Sequence, residues 1–181
     1  IGDTDISFSW DNLYAENRKI VDPTANRYFF VPDPVSVKIE GAARHTASAL
    51  LHPGDTARGT RTLEFEGTVL VPKSEIVPGT GMIRLKDLFN VKIAWDGNTP
   101  QFSYGGDSLA DARAAKARIL QWLPVQDAVP CSLLMQEGTV TGACEPLVKN
   151  EQGRVVQFER IGFARIDTVD ASGIRAYFTH K

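Results

Sequence analysis

The stretch Val35-Ser36-Val37-Lys38-Ile39-Glu40 alternates apolar and polar side chains. Successive side chains of a β-strand point to opposite faces of a sheet, so this period of two predicts a strand with one buried face. Similar short runs recur along the chain, separated by turn-forming residues such as Asp96-Gly97-Asn98 and Glu137-Gly138. Many short strands joined by tight turns predict a mainly β fold, either a barrel or a sandwich.

Working outward from this stretch, other segments show the same strand-like pattern. They lie at residues 62–66, 68–71, 82–85, 90–95, 117–122, 132–135, 155–159, 162–167 and 176–179. Two segments between these runs lack the alternating pattern of a strand. Lys86-Asp87-Leu88-Phe89 predicts a single helical turn at a corner of the fold, and residues 107–116 suit either a helix or a charged loop.

Residues 7–21 predict a helix at the start of the chain. Ser9 can cap it, Asp11 lies in its first turn, and Arg18 and Lys19 lie near its last turn, where each charge suits the helix dipole. Pro23 prevents the helix from continuing. A single helix of this length is marginally stable alone, so we expect it to pack on another part of the protein.

Length and composition indicate a folded protein with a substantial core. The chain has 181 residues, of which 43% are hydrophobic. It contains no apolar run long enough to span a bilayer and no recognisable signal peptide, so we expect no membrane association and a cytoplasmic location. The chain begins at Ile1 rather than Met, and we therefore expect a processed protein or a fragment.

The overall charge gives no clear sign of a nucleic-acid partner. There are 20 basic and 22 acidic side chains, for a net charge of -2. Dedicated nucleic-acid binders are often basic overall, which weighs against RNA binding. Binding depends on local patches rather than on the sum, however, so the distribution of the basic residues decides the question.

The cysteines and histidines predict neither a zinc site nor a nucleophile. Cys131 and Cys144 lie in a region of paired strands, where a disulfide is geometrically possible, but two cysteines without a secretion signal favour a reducing compartment. Cys131 is better read as a small buried apolar group than as a catalytic thiol. The three histidines do not cluster with cysteine, so we expect no metal.

Other candidate catalytic features are weak, and we expect no catalytic residue in this chain. Residues 105–108 (Gly-Gly-Asp-Ser) form a glycine-rich turn, but no Gly-Lys-Ser/Thr follows, so this is not a phosphate-binding P-loop. Asp3 with Asp5, or Asp167 with Asp170, could pair as acid and base. Carboxylates in loops at strand ends are common, and a structural role is the simpler interpretation.

Two basic segments are better candidates for a binding site. In residues 52–61 (HPGDTARGTR), prolines and glycines shape a loop that carries one histidine and two arginines. Arginine suits phosphates, guanine edges and stacking on unpaired bases, although a solvated loop is the alternative. A second run, Arg113, Lys116 and Arg118, leads into Trp122 and places charge beside an aromatic ring, as single-stranded RNA favours. A solvated face above a buried tryptophan would give the same pattern.

Several segments resemble the anticodon-binding region of glutamyl- and glutaminyl-tRNA synthetases. They are HPGDTARGTR (52–61), YFFVPDPV (28–35), RLKDLFNVKI (84–93), QWLPVQDAVPCSLLM (121–135), VVQFERIGFARID (155–167) and AYFTHK (176–181). DISFSWDNLYAENRKIVDP (5–23) is similar to the end of the helical segment that follows the catalytic lysine loop. The resemblance runs nearly end to end in order, and its compactness is closest to the archaeal and eukaryotic glutamyl type.

The resemblance implies two β-barrels of the kind also found in a 5S-rRNA-binding ribosomal protein. On this basis residues 1–26 end a helical segment that contacts the tRNA stem. Residues 27–110 and 152–181 form a proximal barrel, and residues 111–151 form a distal barrel inserted between them. A short helix precedes the barrels.

The resemblance also implies an anticodon site. Arg61 matches the base-reading arginine of the family loop, and His52, Arg58 and Thr60 belong to the same loop. In the family, basic residues of the distal barrel meet the anticodon, and here Arg113, Lys116 and Arg118 lie in that region. Gln121 stands where the family usually has a histidine, so no histidine-specific role carries over to that position.

The expected function follows from the same resemblance. The chain lacks the nucleotide-binding HIGH-type motif and the KMSKS-type lysine loop. ATP with Mg²⁺, and glutamate, are therefore expected to bind a catalytic domain outside this chain, and the expected RNA partner is tRNA-Glu. The same domain of a glutaminyl enzyme, which would bind tRNA-Gln, remains an alternative. A stand-alone rRNA-binding or protein-interaction barrel is a third possibility.

Overall fold

A computed structural model gives the structure of residues 9–181. The predicted helix start at Ser7 and the possible pair Asp3 and Asp5 lie outside these described residues. Helix α1 spans Trp10–Val21. As predicted, Ser9 caps it: its hydroxyl accepts a hydrogen bond from the backbone N–H of Asn12 at 3.2 Å. The α-helix ends two residues before Pro23, in a short 3-10 helix.

The rest of the chain is mainly β, which confirms the predicted fold class. The strands are β1 (Arg27–Tyr28), β2 (Phe30–Pro32), β3 (Pro34–Glu40), β4 (His45–Leu50), β5 (Thr60–Phe65), β6 (Thr68–Pro72), β7 (Met82–Leu85), β8 (Asn90–Asp96), β9 (Thr99–Tyr104), β10 (Arg118–Leu120), β11 (Leu123–Pro124), β12 (Val129–Met135), β13 (Gly138–Cys144), β14 (Val155–Phe158), β15 (Gly162–Asp170) and β16 (Gly173–His180). Helix α2 covers Leu109–Ala114, and further 3-10 helices cover Thr56–Arg58, Lys73–Glu75 and Pro146–Glu151.

The strands form two barrel-like sheets and one hairpin. The central sheet has the order β10-β7-β8-β9-β3-β6-β11, and the terminal sheet has the order β1-β14-β15-β16-β12-β13-β2. Strands β4 and β5 pair with each other as a separate antiparallel hairpin. The terminal sheet therefore combines the first strands of the chain with the last ones, and the central sheet is built from the sequence between them.

The two sheets share one wall, formed by residues 28–31. Tyr28 and Phe30 pack into the core of the terminal sheet, whereas Phe29 and Val31 pack into the core of the central sheet. All four side chains are buried. A strand that is buried on both faces needs apolar residues at every position, which explains why the run Tyr-Phe-Phe-Val lacks the alternation seen elsewhere.

The division between the sheets differs from the predicted barrel ranges. Residues 111–151 do not form a sheet of their own. Strands β10 and β11 join the central sheet, whereas β12 and β13 join the terminal sheet. The pairings of β12 with β16 and of β13 with β2 cause this difference, because they close the terminal sheet across almost the whole length of the sequence.

Two smaller predictions have different outcomes. Residues 107–116 contain a helix, α2, in which Ser108 accepts a hydrogen bond from the backbone N–H of Asp111. Residues 86–89, in contrast, form a turn rather than a helical turn, and Asp87 adopts a positive φ of 58° there. Within residues 9–181, no helix has the length and apolar character needed to cross a membrane.

Candidate nucleic-acid interface

Arg61 lies in the interior of the protein, although the resemblance implies a base-reading role. Its side chain has no exposed surface. The guanidinium donates from Nε to Glu145 at 2.9 Å, from Nη2 to Glu159 at 2.7 Å and from Nη1 to the carbonyl oxygen of Leu50 at 2.6 Å. A guanidinium enclosed in this way has no exposed surface from which to contact a base in this structure, and the base-reading role of Arg61 stays a prediction.

The hairpin explains why Arg61 points inward. Along β5 the buried positions are Arg61, Leu63 and Phe65, so the arginine shares the inner face with two core side chains. Its guanidinium lies 4.9 Å from the centre of the Phe29 ring. Glu145 is buried too, and it also accepts a hydrogen bond from the backbone N–H of Phe29 at 2.6 Å. Burial raises the pKa of Glu145, and the charge of Arg61 opposes that rise.

Arg58 also has a structural role, because it holds its loop against the connector that follows α1 (residues 22–26). Its Nε donates to Asp55 at 3.2 Å, and its Nη1 donates to the side chain of Asn26 at the same distance. Its Nη2 donates to the backbone carbonyl of Pro23. These contacts use all three nitrogens of the guanidinium within the protein.

His52 and Thr60, at the two ends of the loop, face different environments. His52 is buried, and its Nδ1 accepts a hydrogen bond from the backbone N–H of Gly54 at 3.1 Å. Its Nε2 lies 3.8 Å from a carboxylate oxygen of Asp22, so it too faces the connector. Thr60 is exposed at the first position of β5. Of the four predicted loop residues, Thr60 is the one whose side chain faces solvent.

The second basic segment faces outward. Arg113 lies near the end of α2, and Arg118 is the first residue of β10. Lys116 lies between these elements and has a positive φ of 51°. All three side chains are exposed. Lys116 and Arg118, together with Lys92, line a surface groove of about 770 Å³ on the central sheet. Glu75 binds Arg118 at 2.6 Å and neutralises part of this charge. No residue of the 52–61 loop lines the groove, so the structure does not bring the two predicted sets together there.

A smaller pocket lies where the hairpin meets both sheets, and we call it the junction pocket. Its volume is about 270 Å³, and its lining residues are Arg27, Ser48, Ala49, Leu50, Pro53, Lys86, Asp87 and Glu159. The Nζ of Lys86 lies 2.7 Å from Asp87 and 3.2 Å from Glu159. Arg27 binds Asp22 at 3.2 Å. The side chains of Arg27, Lys86 and Glu159 are 27%, 30% and 15% exposed, so they are accessible as well as held in place.

Two polar atoms beside this pocket have no hydrogen-bond partner among the described residues. They are Nε of Arg27 and Oε1 of Gln157, and both are buried. Arg27 and Gln157 are register partners in the parallel pair of β1 and β14, so their side chains lie on the same face of the terminal sheet. Buried polar atoms are normally hydrogen-bonded, so these two atoms are exceptions within the described part of the chain.

Arg27, Lys86, Gln157 and Glu159 were missed as site residues by the sequence reasoning. Lys86 and Glu159 lie inside the segments RLKDLFNVKI and VVQFERIGFARID, which carry the resemblance, but their charges had no separate signal. The turns bring them together: Asp87 and Arg160 both adopt positive φ, and Arg160 donates a hydrogen bond to the carbonyl of Ile119. Backbone conformations of this kind are not evident from residue type alone.

The cysteines have a structural environment. Cys131 and Cys144 are both free and buried on neighbouring strands. A hydrogen bond to Cys131, together with burial, raises the pKa of Cys144 well above its usual value. A thiol held in its neutral form is a poor nucleophile, so these contacts give Cys144 no nucleophilic character.

The carboxylates considered as catalytic groups are also engaged locally. Asp167 binds Arg165 at 2.9 Å, and Asp170 accepts hydrogen bonds from the backbone and the hydroxyl of Ser172. The pKa of Asp170 is lowered by these hydrogen bonds. Within the described part of the chain, no three side chains among His, Cys, Asp and Glu lie close enough together to hold a metal ion.

Comparison with known proteins agrees with the two-sheet architecture. Two family models match, at residues 25–104 and at residues 119–167, and each describes an anticodon-binding domain of class I tRNA synthetases for E and Q. Together they cover most of both sheets.

Similar curated proteins come from methanogenic archaea. A glutamate–tRNA ligase of Methanoculleus marisnigri is 61% identical over all of this chain, which spans 32% of that protein. A glutamate–tRNA ligase of Methanoregula boonei is 53% identical over 99% of the chain, which spans 39% of it. One from Methanocorpusculum labreanum is 54% identical over the whole chain and 32% of its own length.

The chain thus spans roughly a third of the length of these relatives, and the similarity extends over nearly all of its residues. The match of both family models, in order and across both sheets, confirms the resemblance inferred from the sequence. The chain belongs to the anticodon-binding domain family of the class I glutamyl- and glutaminyl-tRNA synthetases.

Proposed function

We propose that this chain is the anticodon-binding region of a glutamate–tRNA ligase and that it binds tRNA-Glu. The observation that carries the proposal is the junction pocket, where Arg27 and Lys86 are partly exposed beside unpartnered polar atoms. Proteins recognise single-stranded RNA loops by splaying the bases into separate pockets and bonding to their edges. A small polar pocket between two sheets suits one such base.

The proposed binding surface differs from the one expected from the sequence. Arg27, Lys86, Arg160 and the exposed Thr60 form its part at the junction. Arg113, Lys116 and Arg118 extend it along the central sheet, where their exposed charges suit phosphates. His52, Arg58 and Arg61 support this surface from behind, because their polar atoms face the protein.

The charge distribution favours contact through local basic clusters. With a net charge of -2, the chain as a whole does not attract RNA. Attraction must come from local clusters, and the groove that Lys92, Lys116 and Arg118 line is one such cluster. Each phosphate neutralised on a single strand contributes about -0.7 to the slope of log K against log salt concentration.

The complete reaction belongs to a longer protein. We propose that the rest of that protein binds ATP, Mg²⁺ and glutamate and joins glutamate to the tRNA, in the cytoplasm where translation takes place. The named relatives are all glutamate–tRNA ligases, which favours tRNA-Glu over tRNA-Gln as the partner.

Filter binding tests the proposal. The 181-residue chain is titrated with tRNA-Glu, tRNA-Gln and an unrelated tRNA at several salt concentrations. We expect the tightest binding for tRNA-Glu and an affinity that falls as salt rises. An affinity that is independent of salt, or equal for all three tRNAs, would contradict the proposal. In ATP–pyrophosphate exchange with glutamate and tRNA, the chain alone should show no activity above the background without protein.

A further inference from the structure

The ionic cluster behind the junction pocket holds more carboxylates than cations. Arg61 is shared between two of them, because its Nε donates to Glu145 at 2.9 Å and its Nη2 donates to Glu159 at 2.7 Å. The Nζ of Lys86 lies 3.2 Å from Glu159 and 2.7 Å from Asp87. Three carboxylates thus share two cations, so these five residues, which we call the junction cluster, carry one negative charge in excess.

Glu145 is the carboxylate for which this excess matters most. Its side chain is 2% exposed, against 15% for Glu159, so little water is available to stabilise its charge. Burial raises the pKa of Glu145, and the charge of Glu159 raises it further, whereas Arg61 and the backbone N–H of Phe29 oppose the rise. A carboxylate in this position binds a proton more readily whenever a positive charge leaves its surroundings or a negative charge arrives.

Two further titratable side chains face Glu145, and neither supplies a cation. Burial raises the pKa of Tyr28 on β1, and a hydrogen bond to the neighbouring thiol raises the pKa of Cys144 on β13, so both groups are neutral near pH 7. Of the cations outside the cluster, Arg27 is already paired with an aspartate and Lys149 is exposed to solvent. The charge state of Glu145 therefore depends mainly on the other members of the junction cluster.

Lys86 is the cation of the cluster that a ligand can reach. Its side chain is 30% exposed in the wall of the junction pocket, whereas Arg61 has no exposed surface. Lysine is a point charge on a flexible stem, so an RNA phosphate at the pocket draws its ammonium group away from Glu159. The same phosphate brings its own negative charge close to the cluster. Both changes increase the affinity of the buried carboxylates for a proton.

We propose that RNA binding at the junction is coupled to the uptake of one proton by the junction cluster. The proton comes from the solvent and binds a carboxylate oxygen of Glu145. It replaces the positive charge that Lys86 turns toward the ligand, and Arg61 then balances the charge of Glu159 alone. This inference rests on the proposed function, because the ligand that moves Lys86 is the RNA.

Thermodynamic linkage fixes the sign of the resulting pH dependence. The complex binds more protons than the free chain, so RNA binding must become tighter as the pH falls. The gain occurs between the pKa of Glu145 in the free chain and its higher pKa in the complex. Across that interval the association constant rises by at most about tenfold for each unit of pH, because a single group takes up the proton.

Isothermal titration calorimetry of the 181-residue chain with tRNA-Glu tests the coupling. Titrations at pH values from about 7.5 to about 5.5, each in two buffers with different ionisation enthalpies, give the number of protons taken up per complex. We expect uptake that approaches about one proton as the pH falls. Glu145→Gln keeps the shape and an acceptor for Arg61 but does not titrate, so its complex should take up almost none. Asp167→Asn is the matched control, because Asp167 pairs with Arg165 outside the junction cluster, and it should leave the uptake unchanged.

A second variant keeps the test decisive if thermal melting shows that Glu145→Gln does not fold. Lys86→Met keeps the aliphatic stem beside the Phe29 ring but removes the cation in the free chain already, so the uptake on binding should fall. Binding of tRNA-Glu without proton uptake would overturn this inference and leave the proposed function standing. Uptake that is lost in His52→Gln and kept in Glu145→Gln would also overturn it, because the proton would then go to the histidine. Absence of tRNA binding would overturn the proposed function itself.

Discussion

The loop 52–61 and the segment 113–118 each carry three basic side chains, but they use them in opposite ways. In the loop, the polar atoms of the histidine and both arginines turn toward the protein. In the segment, all three basic side chains are exposed. Charge that looks alike in the sequence therefore stabilises the fold in one region and is exposed to solvent in the other. The neighbouring apolar positions, rather than the charge itself, decide which role a residue has.

The largest expected effect that tests this comparison is on Arg61. Arg61→Ala leaves Glu145 and Glu159 without their shared cation, and loss of one member of a buried ionic cluster costs about 3–5 kcal/mol. Urea denaturation should show this loss in the free energy of unfolding. Arg165→Ala is the control, because that arginine is half exposed in a surface ion pair and should cost below about 1 kcal/mol. Equal stability of the two variants would show that Arg61 is not a structural residue.

A smaller loss is expected for the second arginine of the loop. Arg58→Ala removes the hydrogen bonds to Asn26 and Pro23 and should cost about 1–2 kcal/mol, less than Arg61 because its side chain is partly exposed. Hydrogen exchange should show faster opening of the connector at residues 22–26, with little change in β12 and β16. Unchanged protection of the connector amides would contradict this structural role of Arg58.

His180 is an example of an inward-facing side chain whose charge changes with pH. It is buried between the rings of Phe163 and Tyr14, and burial, with a smaller contribution from Arg18, lowers its pKa below 6.5. The folded state therefore favours the neutral form. Its contribution to stability is complete above a pH of about 6.5 and is lost as the pH falls from there through the folded-state pKa.

His180→Phe keeps the stacking but does not titrate, so the melting temperature of the unmodified protein should fall more than that of the variant as the pH drops from about 7.5 to about 5.5. The change should be smaller than that in Arg58→Ala, because a single group is involved. If the difference between the two melting temperatures is the same at both pH values, the imidazole does not carry this pH dependence.

The smallest effect on stability is expected in the outward segment. Lys116→Ala should change the free energy of unfolding by no more than about 0.5 kcal/mol, because the side chain is exposed and makes no ion pair within 4 Å among the described residues. It should instead weaken binding of all tRNAs alike and reduce the salt slope by about one unit. Weaker binding that is confined to one anticodon would mean that Lys116 reads a base and does not hold a phosphate.

Much of the fold follows from local pattern. The helix cap at Ser9 and the strand at residues 34–40 are predicted because each depends on neighbours close in sequence. Strands β4 and β9 had no clear signal; the segment His-Thr-Ala-Ser-Ala-Leu at residues 45–50, for example, consists mostly of small and polar residues. The two observed sheets do not follow the predicted barrel ranges, because pairings such as that of β13 with β2 join residues that are far apart in the sequence.

The site was less predictable than the fold. A resemblance correctly identified the family, but it assigned a base-reading role to Arg61, whose side chain is buried in this structure. One local signal was available. Arg61 is separated from Leu63 by two residues and from Phe65 by four, so in a strand all three side chains lie on the same face. If Leu63 and Phe65 point into the core, Arg61 does so too. The junction pocket had no such signal, because Arg27, Lys86 and Glu159 meet only through tertiary packing.

The shared wall at residues 28–31 imposes an order on folding during synthesis. The strands of the central sheet between β3 and β11 are complete before β12 leaves the ribosome, so this sheet can close early around Phe29 and Val31. Tyr28 and Phe30, on the other face of the wall, must then wait for strands made much later. During that interval the nascent chain exposes aromatic surface and unpaired strand edges, which favour aggregation. The final stretch of the sequence therefore protects residues that were synthesised near its beginning.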